Sequence, residues 1–458
     1  MILKRKEKIH FIGIGGSGMS GIARVYRSLG YSVQGSDVRP SRILSDLEGL
    51  GIKVFIGHDP SHVEGADCVI YSSSILESQP ERRAALARGL RVLHRAEALA
   101  ELCEGKRTIA VTGTHGKTTT TALTGQLVEQ AGKHVAVAGD IGPNLLDVLA
   151  QQLDAGALPE VWVLELSSFQ LDGVQGFEPT ASVVLNLTQD HLDWHGDMAA
   201  YGAAKARIFG SRGLIVLNRD DAAVMALLPE PVRAKLQKPR YRDYVTFGAD
   251  MPQRPGDYGI EIVNGMAWLV RAQEADETQK RKKGEEEEIF VQRLMPADAL
   301  RIRGRHNATN ALAALALAQA AGCTLAPMLY GLREYRGEPH RVEPVAIVRE
   351  VEYFDDSKGT NVGATVAALN GLGAERRVVV ILGGDGKGQD FAPLYAPLQR
   401  HVRAAVLIGR DAPAIRSAVQ GTGVPLFDAA SLPEAVRLAQ AQAQPGDAVL
   451  LSPACASF

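Results

Sequence analysis

A chain of 458 residues exceeds what one hydrophobic core usually organises, so roughly two to four domains are expected, with three as the working number. Its composition, 46% hydrophobic and 22% charged, fits a soluble globular protein and excludes extensive disorder. A net charge of -2 gives no broad attraction for nucleic acid or anionic lipid, so neither is an expected partner and anions must be held locally.

The chain opens with a basic segment and an apolar run at residues 9–14. That run is short and breaks into glycines, unlike a signal peptide. No apolar stretch reaches the roughly 18 residues that span a membrane. Cys68, Cys103, Cys323 and Cys455 lie far apart without metal-ligand spacing, which argues against a disulfide frame or zinc site and suits a reducing cytoplasm. A cytoplasmic monomer is expected.

From Lys8 the pattern runs strand (KIHFIGI), glycine loop, helix (MSGIARVYRSLG), strand (YSVQGSD), a βαβ signature of a parallel sheet. A second strand-loop-helix unit begins at Arg107, and VWVLELSS and ASVVLNLT follow as apolar, β-branched runs typical of buried parallel strands. Between residues 244 and 301 the texture changes to short strands, with a hairpin turn predicted at Asn264-Gly265; this region reads as an insertion or edge subdomain. DETQKRKKGEEEE is a solvated loop by composition. After the helix ALAALALAQAAG, YRGEPHR resembles a linker, and VVVILGG, AAVLIG and AVLLSP supply a third α/β unit. The expected fold is therefore α/β in three domains, at residues 1–106, 107–337 and 338–458.

Two loops carry phosphate chemistry. The first, Gly13-Ile-Gly15-Gly16-Ser17-Gly18, has GxGxxG spacing after a strand and before a helix. Its glycines let backbone approach a pyrophosphate, and the helix start supplies N–H groups. Asp37 stands at the end of the next strand, where such domains put a ribose-binding acid. The second is Thr112-Gly113-Thr114-His115-Gly116-Lys117-Thr118-Thr119. It offers amides for phosphate, Lys117 for the terminal phosphates and the Thr118 hydroxyl for Mg²⁺. Val111 stands where the usual motif has its first glycine. Glu165, in LELSSFQ after an apolar strand, is a hard oxygen ligand placed to assist magnesium.

A nucleotide-sugar loop and a GT-x-GKTTT loop in one chain resemble the Mur ligase family. The resemblance implies a Rossmann-like UDP-binding domain, a central P-loop ATPase domain and a C-terminal Rossmann-like amino-acid-binding domain. It also implies an ATP- and Mg²⁺-dependent ligase that activates a carboxylate as an acyl phosphate and lets an amine displace phosphate. For UDP-sugar binding it points to Gly15, Gly16, Ser17, Gly18, Met19, Ser36, Asp37 and Ser73. Gly113, Thr114, Gly116, Lys117, Thr118, Thr119, Asn310, Arg341 and Asp356 would bind ATP, with Asn307 in the same helix-start motif as Asn310. Lys117, Glu165, His191 and Lys205 would be catalytic. Thr118, Glu165, His191 and Lys205 would meet the metal, Lys205 after N-carboxylation by CO₂, with Asp190, Ser167 and Ser168 nearby. Lys358, Thr360, Lys387 and Ser457, with Ser357, would receive the amino acid; lysines and hydroxyls suit a substrate with two carboxylates.

Within the family the pattern splits. Over residues 123–458, VAGDIG, LELSSFQL, SKGTNVGAT, GGDGKGQD and LLSPACAS resemble members that add D-glutamate to UDP-N-acetylmuramoyl-L-alanine in peptidoglycan precursor synthesis. KIHFIGIGGSGMSGIA, QGSD, YSSSI, HRAEALAEL and the His115 form of the loop resemble members that add L-alanine to UDP-N-acetylmuramate. A natural hybrid, a fusion or a reconstructed ancestor would give this mosaic. Asp140 stands where glutamate-adding members usually have asparagine, and the chain stops at Phe458 where relatives continue through a further helix; both would weaken turnover. Glutamate addition is the leading expectation, ahead of alanine addition and a nucleotide-binding hybrid with little turnover. Folylpolyglutamate synthesis does not account for the GIGGSGM domain, and a dehydrogenase leaves Lys117 and Lys205 unexplained.

Overall fold

The computed structural model describes residues 7–72, 74–102, 107–138, 159–172, 174, 176–232, 241–275 and 289–456. Its strands form three sheets that follow one another along the chain. The first takes β1 (Lys8–Ile12), β2 (Ser32–Asp37), β3 (Lys53–Ile56), β4 (Cys68–Tyr71) and β5 (Arg91–His94), all parallel, in the order β3-β2-β1-β4-β5. The order reverses at β1, so the crevice above its carboxyl end is the natural ligand position, and residues 13–18 occupy it.

The second sheet contains β6 (Arg107–Thr112), β7 (Val135–Ala138), β8 (Val161–Glu165), β9 (Ala181–Val184), β10 (Leu214–Asn218), β11 (Tyr244–Phe247), β12 (Tyr258–Val263), β13 (Met266–Glu274) and β14 (Ile289–Pro296), in the order β14-β13-β12-β11-β10-β9-β6-β8-β7. Residues 244–301 are thus the continued edge of this sheet rather than a separate insertion. β11 and β12 extend it in parallel, β13 pairs antiparallel with β12, and β14 pairs antiparallel with β13. The expected turn between β12 and β13 is present, with Asn264 and Gly265 both at positive φ (51° and 79°), the backbone of a tight hairpin. DETQKRKKGEEEE lies outside the described residues.

The alternation that builds these strands is nearly absent from β6, β8 and β9, whose side chains are buried on both faces. That is the signature of a parallel sheet covered on two sides. One cover is the helix Arg305–Ala320, whose alanine-rich run is buried over most of its length against the helix Lys117–Gln130. Small side chains permit that close approach.

The third sheet takes β15 (Glu343–Val348), β16 (Val351–Asp355), β17 (Val378–Gly383), β18 (Val402–Ile408), β19 (Leu426–Asp428) and β20 (Ala448–Leu451), ordered β15-β16-β20-β17-β18-β19. Only β15 is antiparallel among the described strands of this sheet. No described helix is long and apolar enough to cross a membrane. Cys68, Cys323 and Cys455 are buried free thiols; Cys103 lies outside the described residues.

Candidate functional site: a cleft between the second and third sheets

β6 continues through Thr112, so Val111 is a fully buried strand residue paired with Glu165 across the sheet. The loop begins two residues later than a glycine at 111 would allow. Gly116 caps the helix Lys117–Gln130 in left-handed backbone (φ 76°), and a Cβ there would lie 2.9 Å from Asn310 Oδ1. Conformation and space both require glycine. The turn's first helical bond runs from Thr120 N to Gly116 O, so the amides of Lys117, Thr118 and Thr119 precede it, where a helix offers an anion site.

The side chains converge on the same place. Lys117 Nζ donates to the carbonyls of Gly113 (3.1 Å) and Thr114 (3.0 Å). Thr118 Oγ1 donates to Glu165 Oε1 at 3.3 Å and accepts from Arg341 Nη2 at 2.9 Å, a contact between residues 223 apart in sequence. A hydroxyl beside a buried carboxylate is a hard-oxygen pair suited to Mg²⁺. Arg341 Nε is buried without a hydrogen-bond partner among the described residues, a donor that a phosphate oxygen would satisfy. The residues present therefore fit a magnesium nucleotide.

Around this point a cleft is lined by residues 114–119, Glu165, Asn307, Asn310, Arg341, Asp356 and Lys358. Asn310 Nδ2 donates to Asn307 Oδ1 at 3.3 Å, which in turn is fixed by its own bond to Arg303 O. Asp356 is buried and accepts from Ser452 Oγ (2.7 Å) and Val342 N (3.2 Å). Burial outweighs these bonds and raises its carboxyl to about 6. Thr360 and Lys387 are exposed on neighbouring loops after β16 and β17. Those loops are tied together by Gln389, which accepts from Val362 N and donates to Gly386 O. Ser457 lies outside the described residues, as does Asp140.

Lys205 stands beneath the phosphate loop rather than on its open side. It is 2% exposed, and Nζ donates to Gly113 O (2.9 Å) and Thr112 Oγ1 (3.3 Å). Burial, aided by the Lys117 charge, lowers its pKa well below that of an ordinary lysine, against the opposing pull of Asp190 and Glu165. His191 is not drawn in with it: its side chain is 45% exposed, 3.6 Å from Asp190 Oδ2, with its ring edge-on to Phe169. His191 has left-handed backbone (φ 53°) at the cap of the helix Leu192–His195. Ser167 caps the short helix Ser168–Leu171, accepting from Gln170 N; the Ser168 side chain is buried.

Several residues that order this site carry no motif. Asn186 accepts from Thr114 N (2.9 Å) and His115 N (2.8 Å) and returns a bond to His115 O, so one amide side chain shapes the loop. Tyr201 meets Thr114 Oγ1 at 3.2 Å and puts its ring 4.7 Å from Lys205 Nζ. Its place four residues before Lys205, on the same helix face, was the available signal. His115 reaches Thr188 Oγ1, and burial with the charges of Lys117, Lys205 and His306 lowers it to about 3, leaving it neutral.

In the first sheet's loop, Gly13 N and Ile14 N donate to Ser36 O, and Gly15 N donates to Asp37 Oδ2 at 2.8 Å. Gly16 caps the helix Ser17–Ser28, and Met19 is buried in the core behind it. Ser36 is fully buried, its hydroxyl donating inward to Glu81. Ser73 lies outside the described residues.

The comparisons with known proteins agree along the chain. Residues 8–107 match the description Mur ligase family, catalytic domain; residues 111–318 match Mur ligase middle domain; residues 340–455 match Mur ligase, glutamate ligase domain. A protein of Albidiferax ferrireducens named UDP-N-acetylmuramoylalanine-D-glutamate ligase is 61% identical over 99% of this chain and 92% of its own. One of the same name from Burkholderia mallei is 52% identical over 99% and 94%. Both alignments run through the front third, so its alanine-ligase-like motifs sit in a chain aligned throughout with proteins named glutamate ligases. In fold alone, the chain is similar to UDP-N-acetylmuramate-alanine ligase MurC of Thermotoga maritima (TM-score 0.55, 24% identity, 98% of this chain and 95% of that one). It is also similar to a pseudomurein peptide ligase type C of Methanothermus fervidus (TM-score 0.58, 19% identity, 97% and 96%). With three matching domains and such relatives, the chain belongs to the Mur ligase family of ATP-dependent, amide-bond-forming ligases.

Proposed function

We propose that this chain joins D-glutamate to UDP-N-acetylmuramoyl-L-alanine at the expense of ATP, as a cytoplasmic monomer serving peptidoglycan precursor synthesis. The observation that carries the reading is the cleft in which Lys117, Thr118 and Glu165 of the second sheet meet Arg341, Asp356 and Lys358 of the third. The names of relatives aligned over 99% of the chain support the substrate assignment.

The acceptor carboxylate attacks the terminal phosphate of ATP, giving an acyl phosphate and ADP; the glutamate amine then displaces phosphate to form the amide. Lys117 and Arg341 neutralise phosphate oxygens that crowd during transfer. Thr118, Glu165, His191 and carboxylated Lys205 would hold magnesium, which supplies charge neutralisation when bound. Burial favours the Lys205 free amine, whose lone pair adds to CO₂ and releases a proton to give an anionic carbamate. That group keeps one N–H, enough for the bond to Gly113 O. Gly15, Gly16, Ser17 and Gly18, with Met19, Asp37 and Ser73, form the UDP-sugar side, with the buried Ser36 behind them. Asn310 and Asp356 serve ATP; Lys358, Thr360, Lys387 and Ser457 receive glutamate.

Alanine addition to UDP-N-acetylmuramate is the second reading, favoured by the GIGGSGM front. Phosphate release and product mass, measured for each acceptor with D-glutamate and with L-alanine, separate the two. Turnover with D-glutamate and the L-alanyl acceptor is expected. Turnover with L-alanine and none with D-glutamate would overturn the assignment.

A further inference from the structure

Below the first glycine loop, on the face of the sheet opposite the helix Ser17–Ser28, lies a buried polar network. Its centre is Glu81, fully buried near the start of the helix Pro80–Ala87. Oε2 accepts from Ser36 Oγ at 2.6 Å and Gln79 Nε2 at 3.0 Å and lies 3.0 Å from His58 Nδ1; Oε1 lies 2.6 Å from His62 Nδ1. The buried His10 brings Nε2 to 3.8 Å. Burial alone would raise this carboxyl, but the nearby His10 and hydrogen bonds from Ser36 and Gln79 outweigh it and hold Glu81 at about 2. It is an ionised hub surrounded by donors, the only arrangement in which a buried carboxylate is cheap to keep.

We propose that Glu81 is a positioning residue for the nucleotide loop, acting through Ser36 to set the backbone that receives the pyrophosphate of the UDP substrate. The linkage is short. Ser36 gives its hydroxyl to Glu81 and its carbonyl to two loop amides, Gly13 N (2.9 Å) and Ile14 N (3.0 Å). The next residue, Asp37, takes the third, Gly15 N. Three consecutive amides therefore hang on the last two residues of β2, and Glu81 fixes that strand end from beneath.

The same helix start braces the other wall. Arg82 donates to Ile75 O (2.9 Å) and to the Tyr71 hydroxyl (3.2 Å), holding the segment after β4. Ile75 Cδ1 is the atom a Cβ on Gly13 would meet, at 3.7 Å. β2 and β4 flank β1, so one helix start sets both sides of the switch-point crevice. A loop that binds through fixed amides gains affinity from being held before the ligand arrives.

This inference rests on the reading of residues 13–18 as the UDP site, and the experiment separates the two. Steady-state kinetics of the full chain would be measured for Glu81→Gln, Ser36→Ala, the double variant and Gly15→Ala, with thermal melts of each. Glu81→Gln and Ser36→Ala are each expected to raise KM for the UDP substrate about tenfold, the loss of one charge-assisted hydrogen bond. kcat at saturation and KM for ATP should stay within about twofold, because the second loop is built elsewhere. The double variant should be no worse than the more affected single one. If Glu81→Gln fails to fold, Ser36→Ala decides alone, since it removes only a hydroxyl. An unchanged KM for the UDP substrate in Ser36→Ala, additive effects in the double variant, or parallel loss of kcat and ATP affinity overturns the proposal. Gly15→Ala, whose Cβ would sit 2.9 Å from Asp37 Oδ2, tests the underlying site. If it too leaves KM unchanged, the UDP reading itself fails; if it alone raises KM, only the role of Glu81 fails.

Discussion

The loop after β1 hangs from one neighbouring strand end, its amides taken by Ser36 and Asp37, with an inward carboxylate behind them. The loop after β6 is gripped by side chains from separate elements: Asn186 and Thr188 after β9, Tyr201 and Lys205 from a helix, and Arg341 from the third sheet's side. It also carries or adjoins two lysines, whereas residues 13–18 hold none. On the proposed reading, glycines and a strand end would hold the UDP diphosphate. Transferring a phosphoryl group needs cations assembled from several directions, and that assembly draws on a second domain.

The sharpest way to break this comparison is Lys117→Ala. It should lower kcat by roughly 10²–10³-fold, the usual cost of one stabilising donor at developing charge, while calorimetric binding of the UDP substrate stays unchanged. Equal loss of both would mean the loops are not independent. Lys205→Ala comes next: it should be nearly inactive and partly restored by a small carboxylate such as formate, because alanine removes the carbamate oxygens that would meet the metal. Full activity without the additive would remove the carbamate. The smallest effect is expected from Gly363→Ala, whose Cβ would fall 2.5 Å from His115 Nε2 and 2.9 Å from Thr188 Oγ1. Overpacking there costs about 1–3 kcal/mol and should raise KM for ATP several-fold with no change for the UDP substrate. A shift in the UDP KM instead would erase the distinction.

Much of the architecture was legible because parallel strands write themselves as apolar runs ending in glycine or polar loops, and the Asn264-Gly265 turn is local chemistry. The edge strands were harder. Nothing within residues 244–301 says which sheet they join, since pairing of β11 with β10 is set by a partner distant in sequence. At the site, Lys117, Thr118 and Glu165 were readable from motif and strand end. Ser36 was named for UDP-sugar binding by resemblance, and what the motif did not show is that strand alternation puts its hydroxyl with Gln34 on the inward face, under Glu81. His191 has left-handed backbone and a partly exposed ring beside Asp190, neither of which its strand-end motif showed. Asn186 and Tyr201 escaped notice because their partners lie 71 or more residues away.

Among the described residues no sheet borrows a strand from another: the first ends at residue 94, the second at 296, and the third opens only at 343. A chain leaving the ribosome therefore never needs to hold a strand in reserve for a partner still to be synthesised. Within each sheet the parallel crossovers are slow, because loop closure precedes reward. Between sheets, only the docking of finished units remains, with His306 meeting Gly371 and His115 meeting Gly363. Pausing or truncation after the second sheet should release a folded two-unit intermediate rather than a tangle, detectable by limited proteolysis of stalled chains.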